Sequence, residues 1–322
     1  MAVFFSLDQI QEPFRNAVLT IGNFDGVHRG HQSLFAYLNR TAREEAGESV
    51  VITFHPHPLQ VLLPSGGHAP KMINTLDQKI ELIGGSGVDH IVVIPFTAEF
   101  SRIGAAPFVE DLLWRRLGMR SIVIGHDYAF GYRREGNVDL LREMGSRLGF
   151  RVLLQAPVLV DGERVSSTVL RNLIEQGAME KAYSFLGRYY QLQGTVIPGR
   201  KVGGSQLGFP TANLEPTDGI LPGQGVYAVR VIRHGKAYQA VCNVGFNPTF
   251  GLNRLSVEVY ILDFDENIYG EELRVDFVRM LREEKKFSSI DELIQQIRVD
   301  VERARILFES WDKESQERSA VM

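Results

Sequence analysis

The stretch Ile21-Gly22-Asn23-Phe24-Asp25-Gly26-Val27-His28-Arg29-Gly30-His31-Gln32 decides how the first half of the chain is read. It continues the apolar run Ala17 to Ile21, which has the composition of a buried strand. It precedes Leu34, Tyr37 and Leu38, which repeat at helical spacing up to Gly47. The glycines therefore fall at a strand-to-helix turn, where Gly22, Gly26 and Gly30 leave room for phosphate beside backbone amides. A helix N-terminus offers unpaired N–H groups and partial positive charge, so it attracts an anion before any side chain contributes. His28 and His31, three apart, share one face of that helix. Two other readings stand beside this one. The histidines can simply cap the helix, or they can join His55 and His57, from Thr53-Phe54-His55-Pro56-His57-Pro58, in a zinc site.

Up to about residue 187, strand-like runs (Ala17 to Ile21, Ser49 to Phe54, Ile91 to Pro95, Ser121 to Gly125, Arg151 to Gln155) alternate with helical patterns (Thr75 to Ile83, Phe108 to Leu117, Val138 to Leu148). The alternation predicts an α/β fold with a parallel sheet covered on both faces. Ligands of such sheets bind at the carboxyl ends of the strands. The glycine-rich turn, the His55-Pro56-His57 turn and Gly125-His126-Asp127 all fall there.

After Met179 to Leu186, a short helical pattern, the texture changes. Tyr190 to Ile197, Val226 to Arg233, Ala237 to Val244, Leu255 to Leu262 and Leu273 to Phe277 are strand-like, with a hairpin around His234-Gly235. Short successive strands of this kind predict a small antiparallel β-barrel. Ser288 or Ser289 can cap a last helix through Leu293, Ile297, Val301, Ala304 and Leu307, followed by a frayed polar tail from Asp312. The expected domains are thus 1–187 and 188–322.

Composition sets outer limits. At 322 residues and ~150 per domain, two domains are expected. A net charge of -4 without long basic runs argues against nucleic acid as a partner. No apolar run approaches ~18 residues and no secretory leader precedes the first strand, so neither a membrane association nor export is expected, and the location read from the sequence is cytoplasmic. The single cysteine, Cys242, lies in an apolar run and reads as a buried, inert thiol.

The full string Gly22 to Gln32 resembles the HxGH nucleotidylyltransferases, and in its longer form the N-terminal module of bacterial bifunctional riboflavin kinase/FAD synthetases. Arg164-Val165-Ser166-Ser167-Thr168-Val169-Leu170-Arg171 resembles that family's SSTxxR signature. Read by itself, Ser166 is a plausible N-cap before Val169, Leu170 and Leu173. Gly208-Phe209-Pro210-Thr211-Ala212-Asn213-Leu214, after the glycine-rich Gly199 to Gly204, resembles the PTAN motif of riboflavin kinases, though alone it reads as a turn. Val257-Glu258-Val259-Tyr260 alternates, so Glu258 and Tyr260 share a face, which an outward solvated glutamate would also explain. Asn243 to Phe250, Leu281-Arg282 and Lys285-Lys286-Phe287 extend the likeness over nearly the whole chain. The sequence departs from the family's common pattern at Tyr260, where histidine is frequent, and at Ser205, where arginine is.

The resemblance implies a Rossmann-like sheet domain that adenylylates FMN to FAD with release of pyrophosphate, and a barrel domain that phosphorylates riboflavin to FMN. Both use ATP and Mg2+. It implies that His28 and His31 stabilise charge around the α-phosphorus, with Gly22, Asn23, Phe24, Asp127, Arg164, Ser166, Ser167, Thr168 and Arg171 binding ATP. Pro56 and Pro58 would wall a flavin pocket. In the barrel it places ATP and magnesium on Gly199, Gly203, Gly208, Thr211 and Asn213, the general base at Glu258, and a flavin contact at Arg282. Two other functions stay open at this point: a metal-dependent hydrolase built on the clustered histidines, and a non-catalytic flavin-binding sensor.

Overall fold

Six strands, β1 (Ala2–Phe4), β2 (Ala17–Ile21), β3 (Ser49–His55), β4 (His90–Pro95), β5 (Met119–Gly125) and β6 (Arg151–Gln155), pair in the order β1-β4-β3-β2-β5-β6. Every pairing among them is parallel. The computed structural model describes residues 1–63, 69–198, 208–217, 219–246 and 255–320. Burial on both faces explains the near-continuous apolar runs of these strands. All of β2 is buried; Ala17, Leu19 and Ile21 enter one apolar cluster, Val18 the cluster on the opposite face.

The covering helices are α1 (Arg29–Glu44), α2 (Pro58–Leu62), α3 (Leu76–Gly84), α4 (Ala105–Pro107, continuing as π-helical turns through Phe108–Arg116) and α5 (Val138–Leu148). Leu34, Phe35, Leu38 and Ala42 form the buried stripe of α1. The helix stops at Glu44 rather than at Gly47, because Ala46 turns left-handed at φ 48° and the Gly47 N–H closes on the Ala42 carbonyl at 2.8 Å. A Cβ on Gly47 would stand 2.1 Å from the Asn16 carbonyl oxygen. Strand β1 has no counterpart in the sequence reading, since three half-buried residues at a sheet edge leave no periodic signal.

Two compact units divide the chain, Met1–Ser167 and Thr168–Met322. The first ends with a two-stranded hairpin, β7 (Leu159–Val160) and β8 (Glu163–Arg164). Helix α6 (Ser167–Glu175) spans that division, and α7 (Met179–Leu186) packs on the strands of the second unit.

The second unit is a closed barrel of β9 (Tyr190–Ile197), β10 (Ala212–Pro216), β11 (Gly225–Arg233), β12 (Lys236–Phe246), β13 (Leu255–Ile261) and β14 (Glu272–Glu283), ordered β10-β13-β12-β11-β14-β9 and antiparallel throughout. Closure leaves no exposed sheet edge. Cys242 is buried, and burial raises its thiol pKa beyond the ordinary range, consistent with the inert role read from the sequence. Helix α8 (Ile290–Ala320) lays Ala304 and Phe308 on Val226, Ala228, Val241 and Val278. Ser289 caps it, accepting from the Glu292 N–H at 3.2 Å.

Two expectations are corrected. The Pro-Thr-Ala-Asn segment is not a turn: Ala212 and Asn213 begin β10, because strands on both sides supply partners for their backbone. The polar tail does not fray at Asp312 but stays helical to Ala320, as its Lys, Glu, Gln and Arg content favours.

Gly47→Val forces a side chain onto the Asn16 backbone. It should cost about 1–3 kcal/mol, the usual range for overpacking, read as a lower urea midpoint with unchanged slope.

Candidate active sites

β3 lies on one side of β2 and β5 on the other, so the strand order reverses at β2 and opens a crevice at its carboxyl end. The glycine-rich turn leaves β2 into this crevice. Phe24 and Val27 hold positive φ of 48° and 40°, and Gly26 holds 85°. Left-handed backbone at two bulky residues is strained, and here it turns the chain sharply enough to start α1 at the rim.

His28 is the N-cap of α1: its Nδ1 accepts from the His31 N–H at 3.3 Å. The capping reading therefore holds for His28. Because Nδ1 acts as acceptor, a neutral His28 carries its proton on Nε2. The two imidazoles stack with centroids 3.6 Å apart and planes 17° from parallel. Phe24 meets His31 edge-on at 5.2 Å and Phe35 at 5.0 Å. Gly30 is needed for this packing, since a Cβ there would lie 3.1 Å from the His28 ring; at Gly22 it would lie 2.9 Å from the Phe24 ring.

Sequence reasoning gave no role to Asp25, yet it knits the turn together. Its buried carboxylate accepts from the N–H groups of Ile73 at 2.9 Å and Asn74 at 3.4 Å. Its carbonyl accepts from Ser167 Oγ at 2.8 Å, which brings one residue of the SSTxxR-like stretch to the histidine turn. Ser166 precedes α6 and is half-buried; Thr168 and Arg171 lie on α6. The Asn23 carbonyl accepts from Thr53 Oγ1 at 3.2 Å and from Lys79 Nζ at 3.3 Å. Burial lowers Lys79 to a pKa of about 8, although the nearby Asp25 carboxylate opposes the shift.

Asp127, after β5, and Arg164, at the end of β8, pair with each other at 2.7 Å on the surface. Partial burial raises the Asp127 carboxyl, but the hydrogen bond from Arg164 and the surrounding positive charge prevail, leaving its pKa below the usual value. Pro56 is exposed after a cis peptide bond and Pro58 opens α2. His57 caps α2, accepting from the Leu59 N–H at 3.2 Å, and His55 is exposed.

The zinc reading of the four histidines is corrected on this ground. Among the described residues no group of three or more His, Cys, Asp or Glu is placed to hold a metal ion. What stands at the strand ends instead is an aromatic row that the sequence reading missed. Phe54 meets Phe96 at 5.6 Å and Phe100 at 5.9 Å, Phe100 meets Phe108, Phe108 meets Phe130, and Phe130 stacks on Tyr128 at 5.5 Å. The available signal was an aromatic residue at or shortly past the end of three successive strands, at Phe54, Phe96 and Tyr128.

On the barrel, register assembles the second constellation. Glu258 of β13 pairs with Asn213 of β10 on one side and with Asn243 of β12 on the other. Directly opposed residues point to the same side of a sheet, so one carboxylate stands between two carboxamides. Val257 and Val259 are buried in the barrel and Glu258 is not, which puts this face outward. Thr211 stands just before β10, and Phe209 meets Tyr260 edge-on at 5.4 Å. Gly208 is exposed with φ of 79°; Gly199, Gly203, Ser205 and Asn247 to Phe250 lie outside the described residues. Arg282, on β14, donates through Nε to the buried Asp300 of α8 at 2.9 Å and lies 5.6 Å from the Phe287 ring. Asn243 was legible only as part of a longer match; its neighbour relation to Glu258 exists only in the paired strands.

A doubly covered parallel sheet with imidazoles at its switch point, followed by a barrel with a row of oxygen donors, defines a two-part nucleotide-handling enzyme. The family model described as FAD synthetase matches residues 10–169, and the model described as riboflavin kinase matches residues 186–308. A bifunctional riboflavin kinase/FMN adenylyltransferase of Pseudomonas fluorescens is 38% identical over 302 residues, covering 94% of this chain and 96% of its own. That of Haemophilus influenzae is 36% identical over 312 residues, covering 96% and 100%. A crystal structure from Streptococcus pneumoniae, titled a macrolide-efflux protein, superposes with a TM-score of 0.85 at 31% identity, over 94% of this chain and 98% of that one. Among the described residues no helix here is long and apolar enough to cross a membrane. The chain belongs to the family of bifunctional riboflavin kinase/FMN adenylyltransferases.

Asp25→Ala strands the Ile73 and Asn74 amides. It should lower stability by about 1–3 kcal/mol, the cost of unpaired buried donors, and accelerate hydrogen exchange at those two amides.

Proposed function

We propose that the two activities of the family divide between the two constellations, FMN adenylylation at the carboxyl rim of the sheet and riboflavin phosphorylation on the outer face of the barrel. The enzyme is bifunctional, with ATP as co-substrate of both steps: riboflavin becomes FMN, and FMN becomes FAD. The observation that carries the division is that the two family models match consecutive, non-overlapping stretches, each holding one constellation.

At the sheet rim, the FMN phosphate attacks the α-phosphorus of ATP and pyrophosphate leaves. The attacking group is already an anion, so no protein nucleophile is required and catalysis rests on alignment and charge stabilisation. His28 Nε2 and the amides at the start of α1 supply donors for the phosphate oxygens; His31, stacked beside it, keeps that imidazole at the helix mouth. Gly22, Asn23 and Phe24 shape the turn around the nucleotide, with Ser166 and Ser167 beside it and the Asp127–Arg164 pair at its margin. The half-buried members of the aromatic row, Phe54, Phe96, Phe100 and Tyr128, offer apolar ring faces and edges for an isoalloxazine ring, with Pro56 and Pro58 following β3.

On the barrel, Glu258 takes the proton of the ribityl 5′-hydroxyl as its oxygen attacks the γ-phosphorus of ATP and ADP departs. Neutral and anionic oxygens surround the site: the Thr211 hydroxyl, the Asn213 carboxamide and the Glu258 carboxylate. That donor set fits Mg2+ and not a softer metal. Bound there with ATP, magnesium supplies positive charge to the phosphates. Thr211 and Asn213 would hold it; Gly208 lets the backbone approach, and Arg282 ties the strand end to α8 beside the flavin.

Incubation with riboflavin, ATP and Mg2+, followed by chromatography of riboflavin, FMN, FAD, ADP and pyrophosphate, tests the division. His31→Ala should lower FAD formation by about 10²–10³-fold while FMN accumulates, the range for loss of a transition-state donor arrangement. Glu258→Ala should lower FMN formation by about 10²–10⁴-fold and leave FAD formation from supplied FMN intact. Loss of both steps from either change in a folded protein would contradict the assignment. Chelation of Mg2+ should halt FMN formation reversibly.

A further inference from the structure

We infer that Lys79 is a positioning residue for adenylyl transfer, whose ammonium clamps the carboxyl ends of β2 and β3 together and so sets the histidine turn against the aromatic row. The inference rests on the adenylylation reading of the sheet rim.

The backbone ladder between β2 and β3 stops at the rim. Its last link is Gly22 N–H to the Ile52 carbonyl, at 3.1 Å. Beyond it the two chains part, one into the histidine turn and the other toward Phe54 and the aromatic row. The links past that point are side chains. Thr53 Oγ1 donates to the Asn23 carbonyl at 3.2 Å, and Lys79 Nζ donates to the Asn23 carbonyl at 3.3 Å, to Thr53 Oγ1 at 3.1 Å and to the Phe54 carbonyl at 3.2 Å. An ammonium has three donors, and three oxygens meet it.

The lysine is itself held in place. It sits one turn into α3, whose start is fixed by a reciprocal capping box: Thr75 Oγ1 accepts from the Gln78 N–H and Gln78 Oε1 from the Thr75 N–H. The two residues before Thr75 are anchored on the Asp25 carboxylate. The clamp thus closes a loop through the histidine turn, α3 and β3. The residue after Asn23 is Phe24, which abuts His31, so slack at the Asn23 carbonyl reaches the imidazoles within one residue.

The clamp depends on charge. A neutral amine keeps two N–H donors and one lone pair, so one link of the clamp is lost: either a carbonyl faces the lone pair, or the Thr53 hydroxyl turns to it and releases the Asn23 carbonyl. Asp25 faces Lys79 from the turn, while β3 presents the Thr53 hydroxyl and the Phe54 carbonyl. Burial brings the proton off near pH 8 in place of the ordinary 10.5. The linkage sign is then informative. With the folded pKa depressed, the penalty of burying the charge is present below about pH 8 and is relieved as pH climbs toward 10.5. Loss of the proton therefore loosens the site without lowering the stability of the sheet unit through this group. The phosphates of ATP and FMN, with second pKa values of about 6, do not titrate in that window.

The test follows FAD formation from FMN, ATP and Mg2+, FMN formation from riboflavin, and melting temperature, all on the full chain from pH 7 to 9.5. The wild type should lose about tenfold in kcat/KM for FAD formation between pH 7 and 9, with a midpoint near 8 and no parallel drop in melting temperature. Lys79→Gln should be slow at pH 7, flat to pH 9, and within about twofold of wild type in FMN formation. An alkaline limb that persists in Lys79→Gln, or wild-type FAD rates in that variant, would overturn the inference. Should Lys79→Gln not fold, the wild type decides by itself: a rate that is flat to pH 9, or that falls only with the melting temperature, sinks the clamp. Wild type that makes no FAD at pH 7 would instead sink the adenylylation reading beneath it.

Discussion

Where the strands of a parallel sheet buried on both faces come to an end, the polar backbone must find partners other than a neighbouring strand. The turn after β2 meets this demand with few residues. Asp25 supplies a carboxylate to two amides and a carbonyl to Ser167, Lys79 supplies donors to two carbonyls and a hydroxyl, and His28 closes the first turn of α1. These contacts hold the turn in shape by giving partners to backbone groups that the strand ladder no longer reaches.

The barrel solves a different problem. A closed antiparallel sheet fills its inside with alternate residues, and Val257, Val259 and Cys242 are spent on that core. The other set faces outward, where polar side chains cost little, and register lines up Asn213, Glu258 and Asn243 on three adjacent strands. Helix α8 covers the neighbouring apolar patch and brings Asp300 to Arg282. A nearly fully buried carboxylate without that guanidinium would be strongly destabilising, so the pair fixes where the helix docks relative to β14.

Much of the first site was legible because its residues are contiguous. Gly22 to His31 is one turn, and glycines between a strand and a helix mark a strand-to-helix turn with room beside its backbone. The zinc alternative drew on the same histidines, and it falls because no metal-holding group forms among the described residues: His57 caps α2 and His55 is exposed. Asp25 and Lys79 went unremarked for a related reason. An Asp-Gly in a turn and a lysine on an amphipathic helix are commonplace, and nothing local distinguishes a lysine that meets three oxygens from one in water.

Sequence by itself determined the periodicities, and with them the strands, most helices, the two-part organisation and the motif at each part's centre, because those follow from which side chains avoid water along one segment. Tertiary structure decided the partners: the strand order that puts the crevice at β2, the register that sets Asn243 beside Glu258, the aromatic row gathered from three strand ends, and the ammonium that joins Asn23 to Phe54. Hydrogen bonds and ring contacts between distant residues depend on distances of a few ångströms, which are fixed by closure of the whole sheet or barrel and by no segment within it.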